Sequence, residues 1–297
     1  MFFRDSPSRG EGSPRVSGFY DKASGSIQYV VTDPATRMCA LVDIVQDFDT
    51  AAARTRFDSA QEILDFCRDE GLTIAWILDT HPHADHLTAG AWLAEQTGAP
   101  TAIGEKVREI ATLWSDLYHV DDFDPARDYD HLFADGDTFK LGELEVTVML
   151  SPGHTLGSIT YVVGDAAMVH DTFMHVDVGT SRADFPGGSS SDLYESLQAI
   201  LALPDDTRLF VGHDYPPVKE RTDPAWESTV AEQAAKNPHV GGGTSRQDFC
   251  ALRDGRDATL GLPDRMLHAL QVNLRGGRLP PAEADGNRYF KIPANRF

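Results

Sequence analysis

The segment Thr80-His81-Pro82-His83-Ala84-Asp85-His86 places four metal-capable side chains within six positions. In extended backbone His81 and His83 point to one face. Asp85 and His86 fall at the turn into the next expected helix. Four such groups at this density repel or bury poorly without a cation, so the segment reads as a metal-binding loop rather than a polar one. Further candidates stand apart along the chain. His154 sits in Ser151-Pro152-Gly153-His154-Thr155, Asp171 ends the run AAMVHD, and His213 ends the run TRLFVG. Each alone is an ordinary structural residue. Together, five histidines and two aspartates fall where expected strands finish. Convergent ligands need rigid, adjacent elements, and strand ends supply them.

The elements that must position these groups can be read from the pattern. SIQYVVTDP and MCALVDIV flank the turn at Pro34–Arg37 and predict a hairpin. Ser59 to Glu70 predicts a helix, with Ala60, Ile63, Leu64 and Cys67 as its apolar stripe and Ser59 with Glu62 as a capping box. The run 73–80 predicts a buried strand that delivers the histidine loop to a sheet edge, where open α/β folds hold ligands. Helices are predicted over 87–98, 105–117 and 191–204. Strand pairs are predicted over 138–151 and 158–171, and a strand over 207–214. Residues 119–136 read as loop. Strands in pairs with interleaved helices suggest two packed sheets with helices outside.

Composition bounds the rest. The chain has 297 residues, 26 Lys plus Arg against 46 Asp plus Glu, and a net charge of −20. A polyanion argues against nucleic acid or an anionic membrane surface as partner. No stretch approaches the roughly 20 apolar residues of a membrane span. Cys39, Cys67 and Cys250 form no disulfide framework or CxxC motif, which points to a reducing cytoplasm. Residues 1–16 are rich in Ser, Gly, Pro and Arg and are expected to form a flexible leader. Residues 17–225 are expected to form the catalytic domain. Residues 226–297 follow as a helical extension and a wrapping tail of the same domain.

The HxHxDH motif, the later Pro-Gly-His-Thr, an Asp after a strand and a final Gly-His-Asp resemble the metallo-β-lactamase superfamily. The resemblance implies an α/β fold, an αββα sandwich of two mixed sheets with metal at their edges. In dinuclear members the first site would be His81, His83 and His154. The second would be Asp85, His86 and His213, with Asp171 bridging. A narrower resemblance, to the persulfide dioxygenases and their β-lactamase hydrolase-like bacterial subgroup, rests on longer stretches. These are THPHADH, GTSRADFPGG (179–188), LYESLQAILALP, RLFVGHDYPP (208–217) and the tail from LQVNLRGG onward.

That family implies one Fe(II) per chain, held by His81, His154 and Asp171. A two-His-one-carboxylate set leaves positions open for O2 and a sulfur substrate side by side. His83, Asp85, His86 and His213 would then orient ligands or hold a second metal. Arg182 matches an arginine near the substrate, and an anionic thiol persulfide needs such a cation in an acidic protein. Tyr215 matches a tyrosine that hydrogen-bonds groups at the iron. The implied reaction is oxidation of glutathione persulfide by O2 to sulfite and glutathione, and the resemblance raises a homodimer. The competing reading is a dinuclear zinc thioester hydrolase resembling glyoxalase II, served by the same seven ligands. A metal-binding sensor without turnover is a third. The chain departs from the family pattern at Pro82 and Ser158, where Cys is frequent, and at His170, where Gly usually precedes the metal Asp. His170 and His175 have no assigned role.

Overall fold

The computed structural model describes residues 1–219 and 221–297. The chain opens as an antiparallel meander of β1 (Phe2–Ser6), β2 (Arg15–Tyr20), β3 (Ile27–Thr32) and β4 (Met38–Val42). In place of the flexible leader expected over residues 1–16, β1 pairs with β2 from Phe2↔Tyr20 to Ser6↔Val16. The polar residues between them have a buried customer. Arg208, 1% exposed, donates to the Ser6 and Ser13 hydroxyls, to the carbonyls of Pro7 and Pro14, and to Asp165. A buried guanidinium needs acceptors, and the N-terminal segment with Asp165 supplies them to its two Nη groups.

β5 (Val45–Asp49) and β6 (Arg54–Arg56) lead into α1 (Asp58–Asp69). The helix begins without a side-chain cap of its own, so the expected Ser59–Glu62 box does not form. The Ser59 hydroxyl donates to Asp47 instead, at 2.7 Å, and the Ser59 amide donates to the same carboxylate at 2.9 Å. An acceptor from β5 thus serves the helix start. β7 (Thr73–Leu78), β8 (Leu87–Thr88), α2 (Gly90–Thr97), β9 (Thr101–Gly104), α3 (Val107–Tyr118), α4 (Pro125–Asp128) and β10 (His131–Phe133) follow. The last two fall in the stretch expected to be loop. The first sheet runs β1-β2-β3-β4-β7-β9-β10, with β4, β7, β9 and β10 parallel.

The second sheet runs in chain order from β11 (Thr138–Leu141) through β12 (Leu144–Leu150), β13 (Ile159–Val163), β14 (Ala166–His170) and β15 (Arg208–Val211) to β16 (Glu227–Thr229). Only β14 and β15 pair in parallel, across the crossover helix α5 (Ser190–Leu201). The chain then adds α6 (Val230–Lys236), α7 (Arg246–Asp257) and α8 (Met266–Asn273).

Strand alternation builds the layers. Ile27, Tyr29 and Val31 of β3 face Val148, Tyr161, Met168 and Phe210 across the gap between sheets. Val30 points the other way and packs with Ala60, Ile63 and Cys67 of α1 and Leu93 of α2. On the far side, Leu193, Leu197 and Ile200 of α5 and Phe249 of α7 cover the second sheet. The result is the αββα sandwich of two mixed sheets. Among the described residues, no helix is long and apolar enough to cross a membrane.

Candidate metal centre

Both sheets deliver ligands from their carboxyl ends. β7 feeds the loop 79–86, and β12, β14 and β15 feed His154, Asp171 and His213. The histidine loop is pinned from outside. Asp43 accepts from the Thr80 amide at 2.8 Å and from the Thr80 hydroxyl at 2.9 Å. Asn273, at the end of α8, donates to the carbonyls of His83 and His86, both at 2.8 Å. Neither Asp43 nor Asn273 is legible as a site residue, because each acts on backbone far away in sequence.

His81, His154 and Asp171 bring one ligand atom each within 4.8 Å of the others, all buried. The Asp171 Oδ2 lies 3.4 Å from His154 Nε2 and 3.9 Å from His81 Nε2. Hydrogen bonds fix the tautomers. The Thr80 hydroxyl gives its only proton to Asp43, so at 3.1 Å it accepts from His81 Nδ1. His154 Nδ1 donates to the Arg182 carbonyl at 2.8 Å. Both Nε2 atoms therefore carry free lone pairs, and His81 Nε2, though buried, has no hydrogen-bond partner. Burial, with His83 and His154 nearby, holds His81 well below the ordinary histidine value. Burial also lowers His154, with Asp171 opposing. Burial pushes Asp171 up, but His213 and His154 outweigh it and hold the group ionised. Two neutral imidazoles and a carboxylate facing a common point fit a divalent ion.

The remaining four expected groups, His83, Asp85, His86 and His213, also converge, but on one another. His213 lies between two carboxylates, with Nδ1 2.5 Å from Asp171 and Nε2 2.7 Å from Asp85. Burial pushes His213 down, yet Asp171 and Asp85 hold it well above the ordinary value. His86 Nδ1 lies 3.0 Å from Asp85. His83 Nε2 is 2.9 Å from Asp43, an ion-pair distance without hydrogen-bond alignment. Burial lowers His83, but Asp43 overrides it and pushes the ring up to about 9. His83, Asp85 and His86 still keep ligand atoms within 4.8 Å.

Arg182 is anchored. Its guanidinium makes a two-pronged pair with Asp184 at 2.6 and 2.7 Å, donates to the Gly261 carbonyl at 2.7 Å, and lies 4.8 Å over the Phe185 ring. Tyr215 is 55% exposed, and its ring stacks on His213 at 5.9 Å and 7°. His170 gains a role. It sits at φ +40°, where Gly is the comfortable residue, and its Nδ1 accepts the Asp171 amide at 2.5 Å. Burial drives it down to about 3, so this nitrogen stays free to accept. His175 lies farther out, 2.7 Å from Asp177, which Arg221 also grips. Phe185, 5.2 Å from the His154 ring, joins Pro82, Trp114 and Met266 around an apolar hollow of about 20 Å³.

A two-sheet sandwich with histidines and aspartates gathered at one edge defines a metal-dependent enzyme scaffold. The profile of the metallo-β-lactamase superfamily matches residues 48–213, and the chain belongs to that superfamily. It is 54% identical, over 95% of its length, to the β-lactamase hydrolase-like protein of Xylella fastidiosa, and it spans 65% of that protein's length. It is 41% identical to a probable metallo-hydrolase of Burkholderia pseudomallei, over 94% of this chain and 98% of the other. At 25% identity it resembles the human mitochondrial persulfide dioxygenase ETHE1, over 92% of each. The crystal structure of ETHE1 from Myxococcus xanthus superposes with a TM-score of 0.71 at 28% identity, covering 94% of this chain and all of that one.

Proposed function

We propose that this chain is a persulfide dioxygenase that holds one Fe(II) through His81, His154 and Asp171. The single observation that carries the reading is their convergence as two free imidazole Nε2 atoms and one ionised carboxylate. Such a facial set leaves coordination positions open. When bound, iron supplies the activation of O2 beside a sulfur anion. The overall reaction balances as glutathione persulfide plus O2 plus water giving glutathione and sulfurous acid, which ionises to sulfite.

The chain's own residues bind, orient and exclude water. Thr80 and the Arg182 carbonyl hold the two ligand rings in the productive tautomer. Phe185, Pro82 and Trp114 present an apolar wall beside His154 that disfavours bulk water. Arg182 is assigned to the substrate's anionic end, with Asp184 as its resting partner, and Tyr215 to the outer side of His213. Similarity to the ETHE1 proteins supports this reading at low identity.

The rival is a dinuclear zinc thioester hydrolase, favoured by the His83–Asp85–His86 group and by the metallo-hydrolase relative. Protein purified without added metal should contain about one iron per chain and should consume O2 when given glutathione persulfide. Two zinc ions per chain with lactoylglutathione hydrolysis and no O2 uptake would replace the proposal with its rival. Ala at His81, His154 or Asp171 should remove iron and O2 uptake together.

A further inference from the structure

Ser26 lies at the entry to β3, more than fifty residues before the nearest ligand, and the sequence gives it no distinction. It is 1% exposed and zipped to the His213 loop. Ser26 forms a bridge with His213, the Ile27 amide donates to the Gly212 carbonyl at 2.8 Å, and the Asp214 amide donates to the Gly25 carbonyl at 3.0 Å. This places the Ser26 hydroxyl among Asp85, His86 and His213. Its Oγ lies 2.8 Å from Asp85 Oδ2, 3.0 Å from His86 Nδ1 and 3.0 Å from His213 Nε2.

We propose that the Ser26 hydroxyl takes the place a second metal ion would need among Asp85, His86 and His213, and so limits the centre to one ion. A hydroxyl has one proton and two lone pairs. It can give the proton to Asp85 Oδ2 and turn its lone pairs to His86 Nδ1 and His213 Nε2, the two ring nitrogens it shares with that carboxylate. The spacing of these three atoms also does not suit one ion bonded to all of them. Bonds of about 2.1 Å in tetrahedral coordination spread donor atoms to about 3.4 Å apart. Here His213 Nε2 and Asp85 Oδ2 are 2.7 Å apart, and His86 Nδ1 and Asp85 Oδ2 are 3.0 Å apart. These are hydrogen-bond distances. Opening the set to hold an ion would break three contacts with Ser26.

This inference rests on the reading that His81, His154 and Asp171 hold the resident ion. The test titrates metal-free full chain with zinc, followed by gel filtration and elemental analysis. Wild type should retain about one zinc per chain at tenfold excess. Ser26→Ala should retain about two, and Ser26→Thr, which keeps the hydroxyl, should return to one. A wild-type chain that retains two, or a folded Ser26→Ala that retains one, overturns the assignment. The wild-type titration decides even where Ser26→Ala does not fold. Loss of zinc from two to one in Ser26→Ala would also overturn it, by making the hydroxyl a ligand. Oxygen uptake with glutathione persulfide is scored on the same preparations. Its absence in one-ion wild type overturns the reaction, not the stoichiometry.

Discussion

The imidazole of His154 donates its Nδ1 proton to the backbone carbonyl of Arg182, 2.8 Å away. A main-chain atom twenty-eight residues on thus sets which nitrogen faces the metal. The Arg182 side chain and its backbone therefore have separable jobs. Arg182→Ala should retain wild-type metal content, because the carbonyl remains, while kcat/KM for an anionic persulfide falls by more than about tenfold. His154→Ala should lose the metal itself. Elemental analysis beside steady-state kinetics separates the two, and metal loss in Arg182→Ala would refute the division.

Asp43 anchors the histidine loop from the opposite side. It is 4% exposed and faces the Thr80 amide, the Thr80 hydroxyl and His83. Asp43→Ala leaves a buried charged ring and a buried amide unpaired. Breaking a buried pair in this way costs about 3–5 kcal/mol. Urea unfolding should report a loss of that order, and a loss below about 1 kcal/mol would contradict the assigned pairing.

Arg221 ties the loop after β14 to the loop after His213, through Asp177 and the buried Asp214. Burial raises Asp177, but Arg221 and His175 outweigh it and hold it down at about 2. A carboxylate depressed in the folded state contributes stability that is present above its unfolded value near 3.9 and lost as pH falls through the folded value. The gap between wild type and Arg221→Gln should be full above about pH 5 and narrow as pH falls toward 2. Unfolding midpoints at a series of pH values give the comparison, and a pH-independent gap would exclude this origin.

Arg208 joins the N-terminal segment to the second sheet. Arg208→Met keeps the apolar stem but removes the guanidinium's hydrogen bonds to Ser6, Ser13, Pro7 and Pro14. β1 should then detach while the rest of the fold holds. Amide exchange over residues 2–6 should quicken at least tenfold, with the rate over β13 and β14 unchanged. Unchanged protection over residues 2–6 would show that strand pairing alone holds β1.

The residues that can bind metal were legible because their chemistry is local. Histidine and aspartate at the ends of apolar runs declare themselves by type and position, and the motif places the chain in its superfamily. The predicted strand pairs over 138–151 and 158–171 are present for the same reason, since period-two patterning needs only near neighbours. What those groups do was decided by partners distant in sequence. Ser26 reaches His213 across 187 residues, Asn273 reaches His83 across 190, and Arg208 recruits Ser6 across 202. Tautomer, protonation and the closing of the second site depend on which donor and acceptor meet in a water-poor interior. Only packing the two sheets brings those atoms to hydrogen-bond distance, and a linear pattern carries no signal for it.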